Sequence, residues 1–136
     1  MVIEFINDQE WGIEKSSFDH LIERLQGAVD CPEGILNVIF VTAAYIQSLN
    51  KSYRDKDEPT DVLSFNYRAD SPDNELIGEI YISVDTAKKQ SEENKIDLTD
   101  ELKKLFVHGF LHIHGYDHEK DEDYKKMSDL EEKVLS

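Results

Sequence analysis

Between Leu105 and Ile113 the chain reads LFVHGFLHI, and on a helical period its apolar residues Leu105, Phe106, Val107, Phe110, Leu111 and Ile113 point in every direction. A helix with no wet face has to lie at the centre of a fold, because each side must be covered by another element. Thr99 reads as its cap, with Asp100 and Glu101 in the first turn, where carboxylates suit the helix dipole. The helix should end at Gly115, a residue free to take positive φ and reverse the chain. With 136 residues in all, a single domain that removes about two-thirds of its unfolded surface from water is the expectation, and residues 1–136 are read as that domain.

The remaining segments supply the cover. Val2 to Ile6 reads as a strand, and Ser17 to Val29 as an amphipathic helix through Phe18, Leu21, Ile22, Leu25 and Val29. Ile35 to Val41 is a β-branched run that reads as a buried strand, with Thr42 as the cap of a helix from Ala43 to about Tyr53. The charged stretch Arg54 to Pro59 breaks the period and reads as a surface loop. Val62 to Tyr67 and Leu76 to Val84 read as two strands of a hairpin, its spacer at residues 69–75 long enough for a mobile tip. Asp85 to Lys95 and Asp121 to Leu135 read as charged helices. No repeat or linker divides the chain, so the class is α+β, one domain of mixed strands and helices.

Charge narrows the partners. Thirty Asp and Glu against 15 Lys and Arg give a formal charge of −15, which repels nucleic acid and anionic lipid unless cations are gathered in one place. A solvated acidic surface explains this balance, and so does a basic partner. Hydrophobic residues at 39% and aromatic residues at 10% are too many for disorder. Cys31 is the one cysteine, so there is no disulfide partner, any metal must rest on histidine and carboxylate, and a reducing compartment is expected. With no basic leader and no apolar stretch long enough to span a bilayer, the expected location is the cytoplasm, away from membranes.

The central helix carries the chemistry. HGFLHIHGYDH places His108, His112 and His118 in the spacing H-x-x-x-H-x-x-x-x-x-H, with Gly115 between the second and third. Residues four apart share a helix face, so His108 and His112 can aim at one point, and a reversal at Gly115 returns His118 as a third ligand. Three imidazoles with an open position form a catalytic zinc geometry, although nickel, cobalt and copper also accept such ligands. Satisfied core histidines are the alternative, but three imidazoles on a buried helix need partners in any case. His114 lies roughly 240° around the helix from His108 and points elsewhere, and His20 reads as a surface residue. The spacing is similar to the HExxHxxGxxH signature of metzincin proteases. Their general-base glutamate is Gly109 here, which disfavours peptide hydrolysis by that route.

Three stretches, LNKSYRDKDEPTDVLSF (Leu49 to Phe65), IGEIYIS (Ile77 to Ser83) and HGFLHIHGYDH, together resemble the YbeY family of bacterial endoribonucleases and ribosomal RNA maturation factors. The resemblance implies a four-stranded mixed sheet packed with about five helices, a central metal-binding helix, one zinc (nickel or cobalt being possible) on His108, His112 and His118, and Arg54 as a functional arginine. It also implies a single-strand-specific endoribonuclease acting in 3′-end maturation of small-subunit ribosomal RNA and in ribosome quality control. The partners it implies are ribosomal RNA, the small ribosomal subunit and its proteins, and an Era-type GTPase. Residue chemistry agrees in part, since a guanidinium grips phosphate in two places and Lys51, Arg54 and Lys56 form a local cationic group. Pairing of Arg54 with Asp55, Asp57 or Glu58 is the competing reading.

The expected mechanism uses the tri-histidine metal to acidify a water and polarise the phosphate, with Arg54 stabilising the developing charge. The base is open among a substrate oxygen, a second water and attack by the ribose 2′-hydroxyl. Glu79 and Asp117 are candidate carboxylates to orient an imidazole through its other nitrogen. Thr60, Asp61 and Ser64 are expected at the edge of the site. Two other readings compete: a noncatalytic, zinc-stabilised assembly factor that docks basic ribosomal proteins, and a metal-dependent hydrolase of peptides or small molecules.

Overall fold

A computed structural model of the chain describes residues 1–7, 11–67, 75–116 and 121–136. The strands are β1 (Val2–Ile6), β2 (Ile35–Val41), β3 (Val62–Asn66) and β4 (Leu76–Ser83). The helices are α1 (Asp19–Ala28, after a 3₁₀ turn at Lys15–Phe18), α2 (Ala43–Arg54), α3 (Val84–Asn94), α4 (Leu98–Ile113) and α5 (Asp121–Leu135). The four strands form one mixed sheet in the order β1-β2-β4-β3. β1 with β2 and β2 with β4 run parallel, and β3 pairs antiparallel with β4, so that β1 and β3 are the edges. The α+β architecture with five helices is therefore the one expected, although the spacer of the β3–β4 hairpin lies mostly outside the described residues.

Alternation along the strands assigns the two sheet faces. Leu36, Val38 and Phe40 of β2 align with Gly78, Ile80 and Ile82 of β4, and Val62, Ser64 and Asn66 of β3 continue that row. This face receives α4, with α1, α3 and α5 around it, and its core gathers Phe18, Leu25, Phe106, Phe110, Leu111 and Met127, all fully buried. From Leu105 to Ile113 every residue of α4 is buried except His108 and His112, which keep partial exposure. The opposite face carries Asn37, Ile39, Phe65, Glu79 and Tyr81 and packs against α2 through the small cluster of Val41, Ile46 and Leu63.

β3, β4, α2 and α3 differ from the expected limits by one residue, and the ends of α1 and the start of α4 move for physical reasons. The helix expected from Ser17 begins as a 3₁₀ turn, because fully buried Phe18 anchors the entry, and Val29 leaves α1 in extended backbone with φ −125°. α4 starts at Leu98 with Asp97 in the cap position, so Thr99 lies inside the first turn. Leu98 packs on the core, and that contact favours an earlier start. The Thr42 cap is as expected, its hydroxyl accepting from the Tyr45 amide at 3.1 Å.

Candidate metal centre and its cleft

Close approach of α4 to the sheet builds the site. A Cβ on Gly109 would meet Ile80 Cγ2 at 2.8 Å and Ser64 Oγ at 3.0 Å, and one on Gly78 would meet the Phe65 carbonyl oxygen at 2.8 Å. These two glycines let side chains of one layer pack directly on the backbone of the other, Ile80 and Ser64 of the sheet on Gly109 and Ile113 of the helix on Gly78. β3 then clasps the helix: the Ser64 hydroxyl donates to the Gly109 carbonyl at 3.3 Å, and Asn66 Nδ2 donates to the Ile113 carbonyl at 2.9 Å. The second bond satisfies one of the helix's last carbonyls, which have no partner within the helix. Position 109 therefore has no room for the glutamate that metzincins carry there, so the missing base is dictated by packing.

With position 109 turned to the sheet, the neighbouring face of α4 presents His108 and His112 to a cleft. Their Nε2 atoms lie 3.1 Å apart, with the rings 4.5 Å between centroids and steeply inclined at 78°. Two nitrogens bound at zinc distances with a tetrahedral angle between them lie about 3.4 Å apart. The spacing is within a few tenths of an ångström of that value, and it is also the distance of a hydrogen bond between the two rings. α4 then ends as expected: Gly115 has φ +94°, its amide donates to the His112 carbonyl, and the Tyr116 amide donates to the Leu111 carbonyl. This is a Schellman reversal. His118 and Asp117 lie beyond it, outside the described residues, and among the described residues no group of three His, Cys, Asp or Glu side chains forms a metal site.

The cleft, about 660 Å³, is lined by His108, His112, Thr60, Asp61, Ser64 and Phe65, and by Arg54 from the last turn of α2. Asp55 follows in the left-handed conformation, with φ 55°, and turns the chain toward β3. The described residues show no ion pair between Arg54 and Asp55, Asp57 or Glu58, so the competing reading of Arg54 as a surface salt bridge is not realised. Lys51 is instead the cation that pairs locally, with Asp57 at 3.9 Å. Lys51 and Lys56 are exposed and do not line the cleft.

Glu79 does not stand beside the histidines, contrary to expectation. It sits on the sheet face away from α4, where its carboxylate accepts from the Tyr67 hydroxyl at 2.6 Å. A strand's side chains alternate, so with Gly78 and Ile80 turned to α4, Glu79 cannot reach the histidines. Burial, and then the Glu79 carboxylate, push Tyr81 up to about 12 and raise Tyr67 as well. Among the described residues, a carboxylate of α5 lies beside the pair: Glu131, its Oε1 3.8 Å from His108 Nδ1, a residue that the sequence reading missed. His114 turns away as expected: its Nδ1 pairs with the Phe110 carbonyl at 2.7 Å and its ring stacks on Phe110 at 4.3 Å. His20 is at the surface, near Glu23.

Comparison with known proteins identifies the family. The family described as "Endoribonuclease YbeY" matches residues 5–136. Among curated proteins, endoribonuclease YbeY of Oceanobacillus iheyensis is 42% identical, over 99% of this chain and 96% of that one. Its counterpart in Neorickettsia sennetsu is 36% identical over 96% and 92%, and that of Carboxydothermus hydrogenoformans is 45% identical over 76% and 71%. The solution structure of TM1509 from Thermotoga maritima superimposes with a TM-score of 0.65 at 29% identity, covering 98% of this chain and 87% of that one. With a match that leaves out only the first four residues, and with relatives this similar, the chain belongs to the YbeY family.

Proposed function

We propose that this chain is a metal-dependent endoribonuclease that cuts single-stranded ribosomal RNA during maturation of the small-subunit 3′ end, with zinc held by His108, His112 and His118. The observation that carries the reading is the convergence of two Nε2 atoms at 3.1 Å inside a cleft that Arg54 also lines. When bound, zinc supplies a Lewis acid for the phosphate and acidifies a water. The residues of the chain supply the rest. Arg54, at the mouth of the cleft, grips the phosphate oxygens with its planar fork and stabilises the charge that grows on them as the P–O bond breaks. Gly109 offers no base, so the proton of the attacking oxygen passes to another acceptor.

Two features support an RNA strand over a duplex or a peptide. Tyr53, 69% exposed, stands edge-on to Phe65, with ring centroids 5.2 Å apart, and Phe65 lines the cleft. Aromatic surfaces beside a phosphate-binding arginine suit unstacked bases, and in an acidic protein they provide affinity that backbone electrostatics do not. A peptidase of the metzincin kind is opposed by the packing at Gly109. The expected partners are the small subunit and an Era-type GTPase, as family membership suggests, and the charge of −15 suits docking on basic ribosomal proteins.

The test is cleavage of a small-subunit precursor RNA by purified protein. Cuts in single-stranded RNA, abolished by chelator and restored by zinc, are expected. An intact precursor in the presence of zinc-loaded protein contradicts the reading. A 2′-deoxy substitution at the cut position that stops cleavage assigns the attack to the ribose hydroxyl, and continued cleavage assigns it to water.

A further inference from the structure

α5 is strongly charged, yet its inward stripe is regular. Met127 and Val134 are buried, Leu130 packs on the core, and Glu131 occupies the remaining position of the i, i+3, i+4, i+7 pattern, where an apolar residue is the norm. An acid in such a place needs a reason. Its Oε1 lies 3.8 Å from His108 Nδ1, the ring nitrogen that faces away from His112.

We propose that Glu131 is a positioning residue for the metal: from α5 it holds the Nδ1 side of His108 and so fixes the ring whose Nε2 donates to the ion. The inference rests on the reading of His108 and His112 as metal ligands. A neutral imidazole that donates a lone pair from Nε2 carries its proton on Nδ1, and that N–H needs an acceptor. Carboxylates commonly fill this place beside ligating histidines, where they fix the tautomer and the ring orientation and raise ligand basicity. The 3.8 Å contact is longer than a hydrogen bond. At this distance the carboxylate acts on the ring as a neighbouring acceptor, and both side chains keep partial exposure, 30% and 25%. Glu131 thus takes the role expected of Glu79, reached from the C-terminal helix and not from the sheet.

The test measures zinc affinity by competition with a chromophoric chelator, and the visible absorption of the cobalt-loaded protein, for wild type, Glu131→Gln, Glu131→Ala and the exposed neighbour Glu132→Gln. The expected result is a 10- to 100-fold loss of affinity in Glu131→Ala, a smaller loss in Glu131→Gln and an altered cobalt spectrum in both, with Glu132→Gln like wild type. A carboxylate with a purely structural role would leave the spectrum unchanged. Should Glu131→Ala fail to fold, the near-isosteric Glu131→Gln decides. Wild-type affinity and spectrum in the Glu131 variants overturn the inference while leaving the metal site intact. A wild-type protein that takes up neither metal overturns the metal reading and this inference together.

Discussion

The two faces of the sheet are made by the same strands, yet the α4 face is sealed and the α2 face is thin. On the α4 face, Gly78 and Gly109 let the side chains of the opposite layer pack against their backbone, and the gaps in that seal along Leu105 to Ile113 are His108 and His112, which open into the cleft. On the α2 face, Glu79, Tyr67 and Tyr81 form a half-exposed polar group above a small cluster. Histidines held on a rigid, buried helix keep a fixed spacing, whereas a carboxylate bonded to a neighbouring tyrosine is occupied locally. Catalysis belongs where packing fixes geometry.

Variants separate the two faces. Arg54→Ala should lower RNA cleavage by about 10²–10³ with zinc content unchanged, the usual loss when one group that stabilises developing charge is removed. Single-turnover assays on metal-quantified protein check it, and equal loss of metal and activity would remove Arg54 from phosphate stabilisation. Gly109→Ala drives a methyl into Ile80 and should destabilise the fold by about 1–3 kcal/mol in denaturant unfolding. An unchanged midpoint would show that the seal is loose. Tyr53→Ala should weaken single-stranded RNA binding by about 1–3 kcal/mol, the range for one stacked base. Anisotropy with an abasic oligonucleotide should then show no further difference between variant and wild type.

Glu79→Gln should leave zinc content and cleavage as they are. Its effect belongs at alkaline pH. Tyr81 is raised to about 12 from 10.0, so its contribution is fully present below pH 10 and fades between 10 and 12 as the unfolded chain ionises first. Tyr81→Phe should flatten that alkaline decline in urea titrations. A loss of zinc in Glu79→Gln would mean that the two faces are coupled through the sheet.

Much of this was legible in the residues. β1, β2 and α5 have the limits that periodicity predicts, and Gly115 takes the positive φ that its place after the helix demands. Pairing of His108 with His112 follows from a spacing of four. The rest depended on long-range placement. Whether Glu79 faced the histidines turned on strand parity: Ile80 and Ile82 alternate with Glu79 and Tyr81, but which of the two faces receives α4 is set by how the helix docks on the sheet. Glu131 was visible as an acid on an apolar stripe, but its target, 23 positions away in sequence, is set by how α5 docks. Arg54, Lys51 and Lys56 form one cationic run in sequence, and only the fold separates the residue that lines the cleft from two that do not.

The most direct measurement is metal content by plasma mass spectrometry on tag-free protein, wild type beside His112→Ala. The account predicts one zinc per wild-type chain and its loss in the variant. A wild-type chain that stays empty after incubation with zinc, or a variant that retains the full complement, would contradict it.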